Sequence, residues 1–323
     1  MRKNLAQRTQ NTICNIQEKM KQKVIVTGGA GFIGSHIVDA LVREGFSVHI
    51  IDDLSTGKKE NINPEAVFHH VSICDFKKIA PLFKNAVYVF HTAANARIQP
   101  SIIDPRSSNE SNITGTLNVL VAARDARVKK VIYSASSSAY GSQKHMPLCE
   151  DMVPNPQSPY AIQKLVGEIY CKNFTDLYGL PTVSLRYFNV YGPRQLTDGA
   201  YATVIGIFLR ERLKSKSMPI VRDGRQKRRD YTHVSDIVAG NLRAMKSKKV
   251  GQGEVINLGT HSNFSVTEVA ELIGGPTKYI PIRPGEAKET LADNTHARLL
   301  LGWKPHIRFQ DGIHALKKQH GLR

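Results

Sequence analysis

Tyr160-Ala161-Ile162-Gln163-Lys164 follows Ser158-Pro159, a pair suited to start a helix. A spacing of four puts Tyr160 and Lys164 on one helix face. A free phenol has a pKa near ~10 and is a poor base at neutral pH. A neighbouring ammonium favours the phenolate and brings such a group toward basic function. Upstream, Val131-Ile132-Tyr133-Ser134 ends a strand and leads into Ala135-Ser136-Ser137-Ser138-Ala139-Tyr140-Gly141. A hydroxyl at such a strand end faces a cleft, where it can bond a substrate oxygen. Tyr-x-x-x-Lys alone arises often by chance, and serine runs are usually loops. The set becomes chemistry only when another segment delivers a reactant to it.

Thr27-Gly28-Gly29-Ala30-Gly31-Phe32-Ile33-Gly34 is that segment. A β-branched run, Val24-Ile25-Val26, precedes it, and a helical pattern with Ile37, Ala40 and Leu41 on one side follows. The glycines therefore lie where a buried strand turns into a helix, the context that makes a glycine motif meaningful. Such a turn needs positive φ and no Cβ near a ligand. The helix start then offers N–H groups and partial positive charge to a pyrophosphate. A second apolar run, Val48-His49-Ile50-Ile51, ends at Asp52, 18 residues after Gly34. An acid there accepts from the adenosine ribose hydroxyls and repels a 2′-phosphate, which indicates NAD rather than NADP. The positive nicotinamide ring of that cofactor adds to Lys164 in favouring a Tyr160 phenolate.

The elements that must position these groups recur along the chain. Strand-like runs at Val24–Thr27, Val48–Ile51, Val67–Val71, Val87–His91, Lys130–Ser134, Thr182–Arg186 and Val255–Leu258 alternate with helical segments. That alternation implies an α/β fold, a doubly wound parallel sheet of the Rossmann type. Regularity fades after Asn189. Residues 190–229 and 260–323 are richer in Pro, Gly and Arg and are expected to form a smaller, mixed substrate lobe, leaving 23–189 plus 230–259 as the dinucleotide domain. Ligands of such sheets bind beyond the strand carboxyl ends, where the lobes face each other.

Bulk properties narrow the class. A chain of 323 residues with 41% hydrophobic and 22% charged content is ordinary for a globular protein with a large core. No apolar run approaches the ~20 residues of a bilayer span, so no membrane partner is expected. Residues 1–22 carry five Lys or Arg against Glu18 and read as a frayed basic extension rather than a secretory signal. Cys14, Cys74, Cys149 and Cys171 show neither pairing nor metal spacing, nor do the 12 histidines, which suggests reduced thiols, a cytoplasmic location and no metal. The formal charge of +18 raises nucleic-acid binding as a reading. The basic clusters at 222–229 and 246–249 lack interleaved aromatics, so a solvated basic surface that attracts an anionic nucleotide is favoured, with no nucleic acid bound.

Together these residues resemble an extended short-chain dehydrogenase/reductase and, within that superfamily, the UDP-hexose 4-epimerases. The resemblance runs from Lys23 onward. It rests on the glycine turn, Asp52-Asp53-Leu54-Ser55-Thr56-Gly57, His91-Thr92-Ala93-Ala94, the serine run, Tyr160 to Lys164, Arg186 to Arg194, Arg229-Asp230-Tyr231, Arg283-Pro284-Gly285-Glu286 and Leu301 to Pro305. It implies that Tyr160 is the catalytic base, that Lys164 holds the nicotinamide ribose, and that Ser136 binds the reacting hydroxyl, with Ser138 second. Gly28, Gly31, Phe32, Ile33, Gly34, Asp52 to Gly57, Ile73, Ala93, Ala94, Asn112 and Tyr187 are implied to form the NAD site. Ser101 is implied to face the sugar, Asn189 the diphosphate, and Val204 and Phe208 the uracil. Arg229, Arg283 and Glu286 are implied to hold phosphate and ribose. A guanidinium fork also suits phosphate on physical grounds. Two positions depart from the family. Ser72 stands where an acid often contacts adenine, and Asp53 replaces a frequent Asn and can only accept when ionised.

The implied reaction is inversion at sugar C4: Tyr160 takes the hydroxyl proton, NAD takes the hydride, and the 4-keto sugar rotates before the hydride returns. Related dehydratases and decarboxylases carry a carboxylate in the serine segment, where this chain has Ser136-Ser137-Ser138. A 4,6-dehydratase or another sugar-nucleotide oxidoreductase of the superfamily remains the alternative, as does a non-enzymatic NAD-sensing or nucleic-acid-binding relative. Thr290 is small where the family limits space beside the C2 substituent, so UDP-GlcNAc stands beside UDP-glucose as substrate. A homodimer through the Tyr160 helix is also implied.

Overall fold

The computed structural model describes residues 21–199, 202–282 and 287–322. Its centre is a parallel sheet of seven strands: β1 (Lys23–Thr27), β2 (Ser47–Asp52), β3 (Val67–His70), β4 (Ala86–His91), β5 (Lys130–Ser136), β6 (Thr182–Tyr187) and β7 (Gln252–Leu258). Their order across the sheet is β7-β6-β5-β4-β1-β2-β3. All seven strand expectations fall on these elements. The chain order reverses between β1 and β4, and the opening there is the natural ligand crevice of such a sheet.

The strands are apolar on both faces because helices cover both. Val24 and Val26 point to a core shared with Ile37 and Leu41 of α1 (Phe32–Arg43). Ile25 between them points to a second core with Val119 and Leu120 of α3 (Gly115–Asp125) and Cys171 and Phe174 of α4 (Pro159–Tyr178). Alternate residues of one strand thus serve opposite layers, which produces continuous rather than alternating hydrophobicity. The short helix α2 (Ile98–Ile103) follows β4 and packs against α4.

A third core lies beside the sheet. Ile205, Phe208 and Leu209 of α5 (Val204–Leu213) meet Met218, Ile220, Val269, Ile273 and Ile313. Short strand pairs support it, Met218–Val221 with Thr277–Ile280 and Arg228–Asp230 with Asn263–Ser265. One segment departs from the lobe division expected above. Ala297, Leu301 and Trp303 pack into the first sheet core beside Ile237 of α6 (Val234–Lys246), and Trp303 Nε1 donates to Asp236 O at 2.8 Å. There the indole is buried and its one donor is satisfied.

Candidate active site

A cavity of about 490 Å³ runs from the β1–α1 turn to the third core. At one end stands the glycine turn. Gly28 has φ 71°, and its N–H donates to Ile51 O at 2.8 Å. A Cβ there would lie 2.6 Å from Ala93 N, and one on Gly34 would lie 2.1 Å from Gly28 O. Gly31 is the N-cap of α1 and no side chain caps the helix, so its first turn is left to a ligand. Gly28, Gly31, Phe32, Ile33 and Gly34 all line the cavity. This cradle fits a dinucleotide pyrophosphate.

Asp52 lines the same end and is fixed by its own chain: Oδ2 accepts Ala30 N–H at 2.9 Å and Oδ1 accepts Leu54 N–H at 2.8 Å. Burial pushes its pKa up, opposed by those two bonds. Its remaining lone pairs are available to ribose hydroxyls. Ser55, Thr56, Ile73, Ala93, Ala94 and Tyr187 also reach the cavity. Leu54 and Gly57 do not. Leu54 takes φ 60° to present its N–H to Asp52, and a Cβ on Gly57 would lie 2.7 Å from Asp52 Oδ1, so both shape the acid's surroundings. The two departures from the family meet each other. Burial pushes the Asp53 carboxyl up, but hydrogen bonds from Ser55 and the Ser72 hydroxyl outweigh it and hold it below the usual range.

Two residues expected on the cavity wall are turned from it. Asn112 is 1% exposed; its Oδ1 accepts Asn95 N–H at 2.7 Å, and its Nδ2 donates to Asn95 O at 3.1 Å and Gln163 Oε1 at 2.8 Å. Ser101 is fully buried; its hydroxyl donates to Ile98 O at 2.7 Å and accepts Tyr160 N–H at 3.1 Å. Both side chains are buried off the cavity wall, and their bonds hold the segment after β4 against α4.

At the centre, Ser158 caps α4 by accepting Ala161 N–H at 3.2 Å, and Tyr160 and Lys164 face the cavity. Burial raises the Tyr160 phenol, while a hydrogen bond with Ser136 and the charge of Arg97 draw it back. Ser138 donates its N–H at 3.2 Å and its hydroxyl at 2.9 Å to Ser136 Oγ, orienting it. Lys164 Nζ donates to Ser134 O at 2.7 Å and lies 4.9 Å over the Tyr133 ring. Burial lowers its pKa to about 8, opposed by Glu168 one turn on. The Tyr187 hydroxyl donates to Asn241 Oδ1 at 2.9 Å and pairs with Ser134 Oγ at 2.9 Å, making it a fixed wall.

At the far end, Asn189 has φ 29°, and its Nδ2 donates to Asp230 O at 3.0 Å and Thr290 Oγ1 at 3.1 Å. Asn189, Thr290, Val204, Phe208 and Arg229 all line the cavity, with Pro219 and Val221 completing an apolar slot. Arg229 Nη1 donates to Arg228 O at 2.9 Å and Lys288 O at 3.1 Å. Arg283 and Glu286 lie outside the described residues. Sequence reasoning missed Arg97, Gln99 and Lys227 on this wall. The signal for the first two was their place just beyond the end of β4. Among the described residues, no group of three or more His, Cys, Asp or Glu could hold a metal, and no helix is long and apolar enough to cross a membrane.

Comparison with known proteins fits this geometry. Residues 24–259 match the NAD dependent epimerase/dehydratase family. The chain is 40% identical over 298 residues to a putative UDP-glucose 4-epimerase of Methanocaldococcus jannaschii, covering 90% of this chain and 95% of that one. The UDP-glucose 4-epimerase of Thermotoga maritima, solved with UDP-glucose, superposes with TM-score 0.87 at 38% identity, covering 92% and 99% of the two chains. A UDP-N-acetylglucosamine 4-epimerase of Methanobrevibacter ruminantium, in complex with UDP-N-acetylmuramic acid, gives 0.86 at 37% identity over 93% and 99%.

Proposed function

Because this chain belongs to the NAD dependent epimerase/dehydratase family, we propose that it is an NAD-dependent 4-epimerase of UDP-hexoses, acting through a transient 4-keto sugar. The observation that carries this reading is the wall of one cavity. It joins a pyrophosphate cradle, a Tyr160–Ser136–Lys164 centre and an apolar slot, and among the described residues its only carboxylates are Asp52 and Asp53 at the cradle end. A dehydratase or decarboxylase needs an additional acid or positioned charge near the sugar. Glu150, close in sequence to the serine run, is instead committed to accepting Asn257 N–H at 2.8 Å.

NAD, which the glycine turn and Asp52 would hold, would supply the hydride acceptor and donor for C4, leaving turnover redox-neutral. The residues do the rest. Tyr160 accepts the C4 hydroxyl proton and gives it back to the inverted product. Ser136 bonds the same oxygen and keeps it aimed at the phenol. Lys164 holds the cofactor ribose while anchored to Ser134 O. The first turn of α1 meets the pyrophosphate with N–H groups and dipole. Val204 and Phe208 pack on the uracil and Asn189 and Arg229 address the diphosphate, while the phosphate and ribose roles of Arg283 and Glu286 rest on the family resemblance alone. Thr290, small and tied to Asn189, leaves room beside C2, which supports use of UDP-GlcNAc as well as UDP-glucose. The free thiols Cys74, Cys149 and Cys171 suit a cytoplasmic protein, and α4 is the proposed homodimer face.

The test is to incubate the purified protein with UDP-glucose and separately with UDP-GlcNAc and follow the anomeric proton signals by NMR. Appearance of the galacto epimer without net NADH is expected, and Tyr160→Phe should abolish it while NAD stays bound. Loss of the 6-CH₂OH signals would identify a dehydratase, and wild-type rates in Tyr160→Phe would remove the tyrosine from its role.

A further inference from the structure

The pyrophosphate cradle and the catalytic helix are joined through a buried ring that has no part in the chemistry. His91 ends β4 and pairs in register with Thr27, which ends β1 and precedes Gly28. Its imidazole meets the Thr27 hydroxyl at 2.7 Å through Nδ1 and the Thr116 hydroxyl of α3 at 2.9 Å through Nε2. Each hydroxyl has a second partner. Ala93 N–H donates to Thr27 Oγ1 at 3.3 Å, and the Thr116 hydroxyl donates to Asn112 O at 2.7 Å. Ala93 lines the cavity, and its nitrogen is the atom that a Cβ on Gly28 would meet at 2.6 Å. Asn112 grips the Asn95 backbone on one side and Gln163 of α4 on the other. The ring thus stands between the floor of the cofactor cleft and the helix that carries Tyr160.

Counting protons fixes the state of the ring. A threonine hydroxyl has one proton to give and lone pairs to accept with. The Asn112 carbonyl only accepts, so the Thr116 proton lies on that bond, and Thr116 Oγ1 accepts from the imidazole. Nε2 therefore carries the ring proton. Nδ1 is bare and accepts the Thr27 proton, while Thr27 Oγ1 accepts Ala93 N–H. Every donor then meets an acceptor, in one direction, from Ala93 N–H to Asn112 O. The opposite tautomer leaves the Thr27 proton without an acceptor among the described residues. It also turns the Thr116 proton away from an oxygen 2.7 Å off. Thr27, His91 and Thr116 are all buried, where an unsatisfied polar group is costly. Burial, with the charge of Lys164, lowers the imidazole pKa to about 3, in keeping with a neutral ring.

We propose that His91 is a positioning residue for both halves of the site: its Nε2–H imidazole sets the Gly28–Ala93 floor of the cofactor cleft through Thr27, and the first turns of α4 through Thr116 and Asn112. The catalytic consequence rests on the epimerase reading, whereas the tautomer and the two-sided coupling do not. His91 touches neither substrate nor cofactor, and its proton stays on Nε2 throughout.

The experiment pairs two half-isosteres in the full chain. In His91→Asn the amide oxygen stands near the place of Nδ1 and can still accept from Thr27, but nothing reaches Thr116. In His91→Gln the amide nitrogen stands near the place of Nε2 and can still donate to Thr116, but Thr27 loses its acceptor. His91→Gln should weaken NAD binding about tenfold, the effect of one lost buried hydrogen bond, with kcat at saturating NAD near that of the wild type. His91→Asn should keep its NAD and lose about tenfold in kcat. Amide hydrogen exchange reads the same split without sugar: faster at Gly28 and Ala93 in the Gln variant, faster at the first turns of α4 in the Asn variant. In the wild type, long-range ¹H–¹⁵N spectra should show this imidazole, assigned through its contact with the Tyr133 ring, as the neutral Nε2–H form. A ring protonated on Nδ1 overturns the proposal even if neither variant folds. So do variants that lose NAD, kcat and melting temperature in parallel, which would make His91 a core-filling residue alone. If UDP-hexoses prove not to be epimerised, the exchange, NAD and imidazole measurements still decide it.

Discussion

Lys164 donates its ammonium to Ser134 O at 2.7 Å, and the proposed mechanism gives it the cofactor ribose as a second partner. Its pKa is lowered to about 8 by burial, so the ammonium is complete below that pH and is lost as pH rises through it. The alkaline limb of activity should therefore fall near pH 8. Glu168 supports the charge and is itself held in a bidentate pair with Arg186 at 2.9 and 2.7 Å, both side chains under 5% exposed. Glu168→Gln should move the alkaline limb about 1 unit toward acid, read from kcat–pH profiles and NAD retention. A limb that stays in place would separate Glu168 from the chemistry. Truncation to Ala is avoided because an unpaired buried Arg186 costs about 3–5 kcal/mol. At this scale the Tyr160–Lys164 pair and the serine run were legible from type, spacing and order, whereas the choice of Ser136 within the run came from the family resemblance. Glu168 sits four residues beyond Lys164 and was legible in principle, but its partner arrives from β6, which no local spacing announces.

The segment after β4 positions the site as an element. Ser101 and Asn112 resemble ligand contacts by their place in the chain, yet the fold spends them on α4. The expected sign of that role is a split between kinetic constants. Ser101→Ala leaves Tyr160 N–H without its buried acceptor, which costs about 1–3 kcal/mol of stability and misplaces the phenol. Its kcat should fall about tenfold, since about 1.4 kcal/mol of lost transition-state stabilisation has that effect, while KM for the nucleotide sugar changes little. A rise in KM with kcat preserved would return Ser101 to the sugar contact that sequence likeness suggested. The strands were legible because a doubly covered parallel strand is apolar at every position, as Val24, Ile25 and Val26 are. The direction in which Ser101 and Asn112 point was not, because it depends on tertiary contacts 59 and 51 residues away in sequence.

For the molecule as a whole, charge and surface pattern remain to be placed. The formal +18 was legible at once, but its meaning depends on where cations sit. Among the described residues, the cavity wall carries four cations, Lys164, Arg97, Lys227 and Arg229, against the two carboxylates Asp52 and Asp53. That balance suits a doubly charged nucleotide diphosphate. The lobe division was read by composition, which missed that Trp303 returns to the sheet core. The proposed association rests on α4. Tyr160, Lys164 and Glu168 occupy one face at helical spacing, whereas Ile162 at 49% and Ile169 at 59% exposure, with the half-buried Leu165 and Val166 between them, form a stripe on another. Beside it α2 leaves Ile103 81% exposed. A contiguous apolar stripe on a 20-residue helix marks a contact surface. The proposed occupant is the same stripe of a second copy, since a two-fold axis pairs like with like. Sedimentation should then find the wild type at twice the chain mass and the double variant Ile162→Glu, Ile169→Glu at the monomer mass, because paired carboxylates buried in a shared apolar seam repel and are desolvated. Since both substitutions lie off the catalytic face, the monomer should keep its bound NAD. A wild type that already sediments as a monomer would leave the stripe without its partner and remove the dimer from this reading.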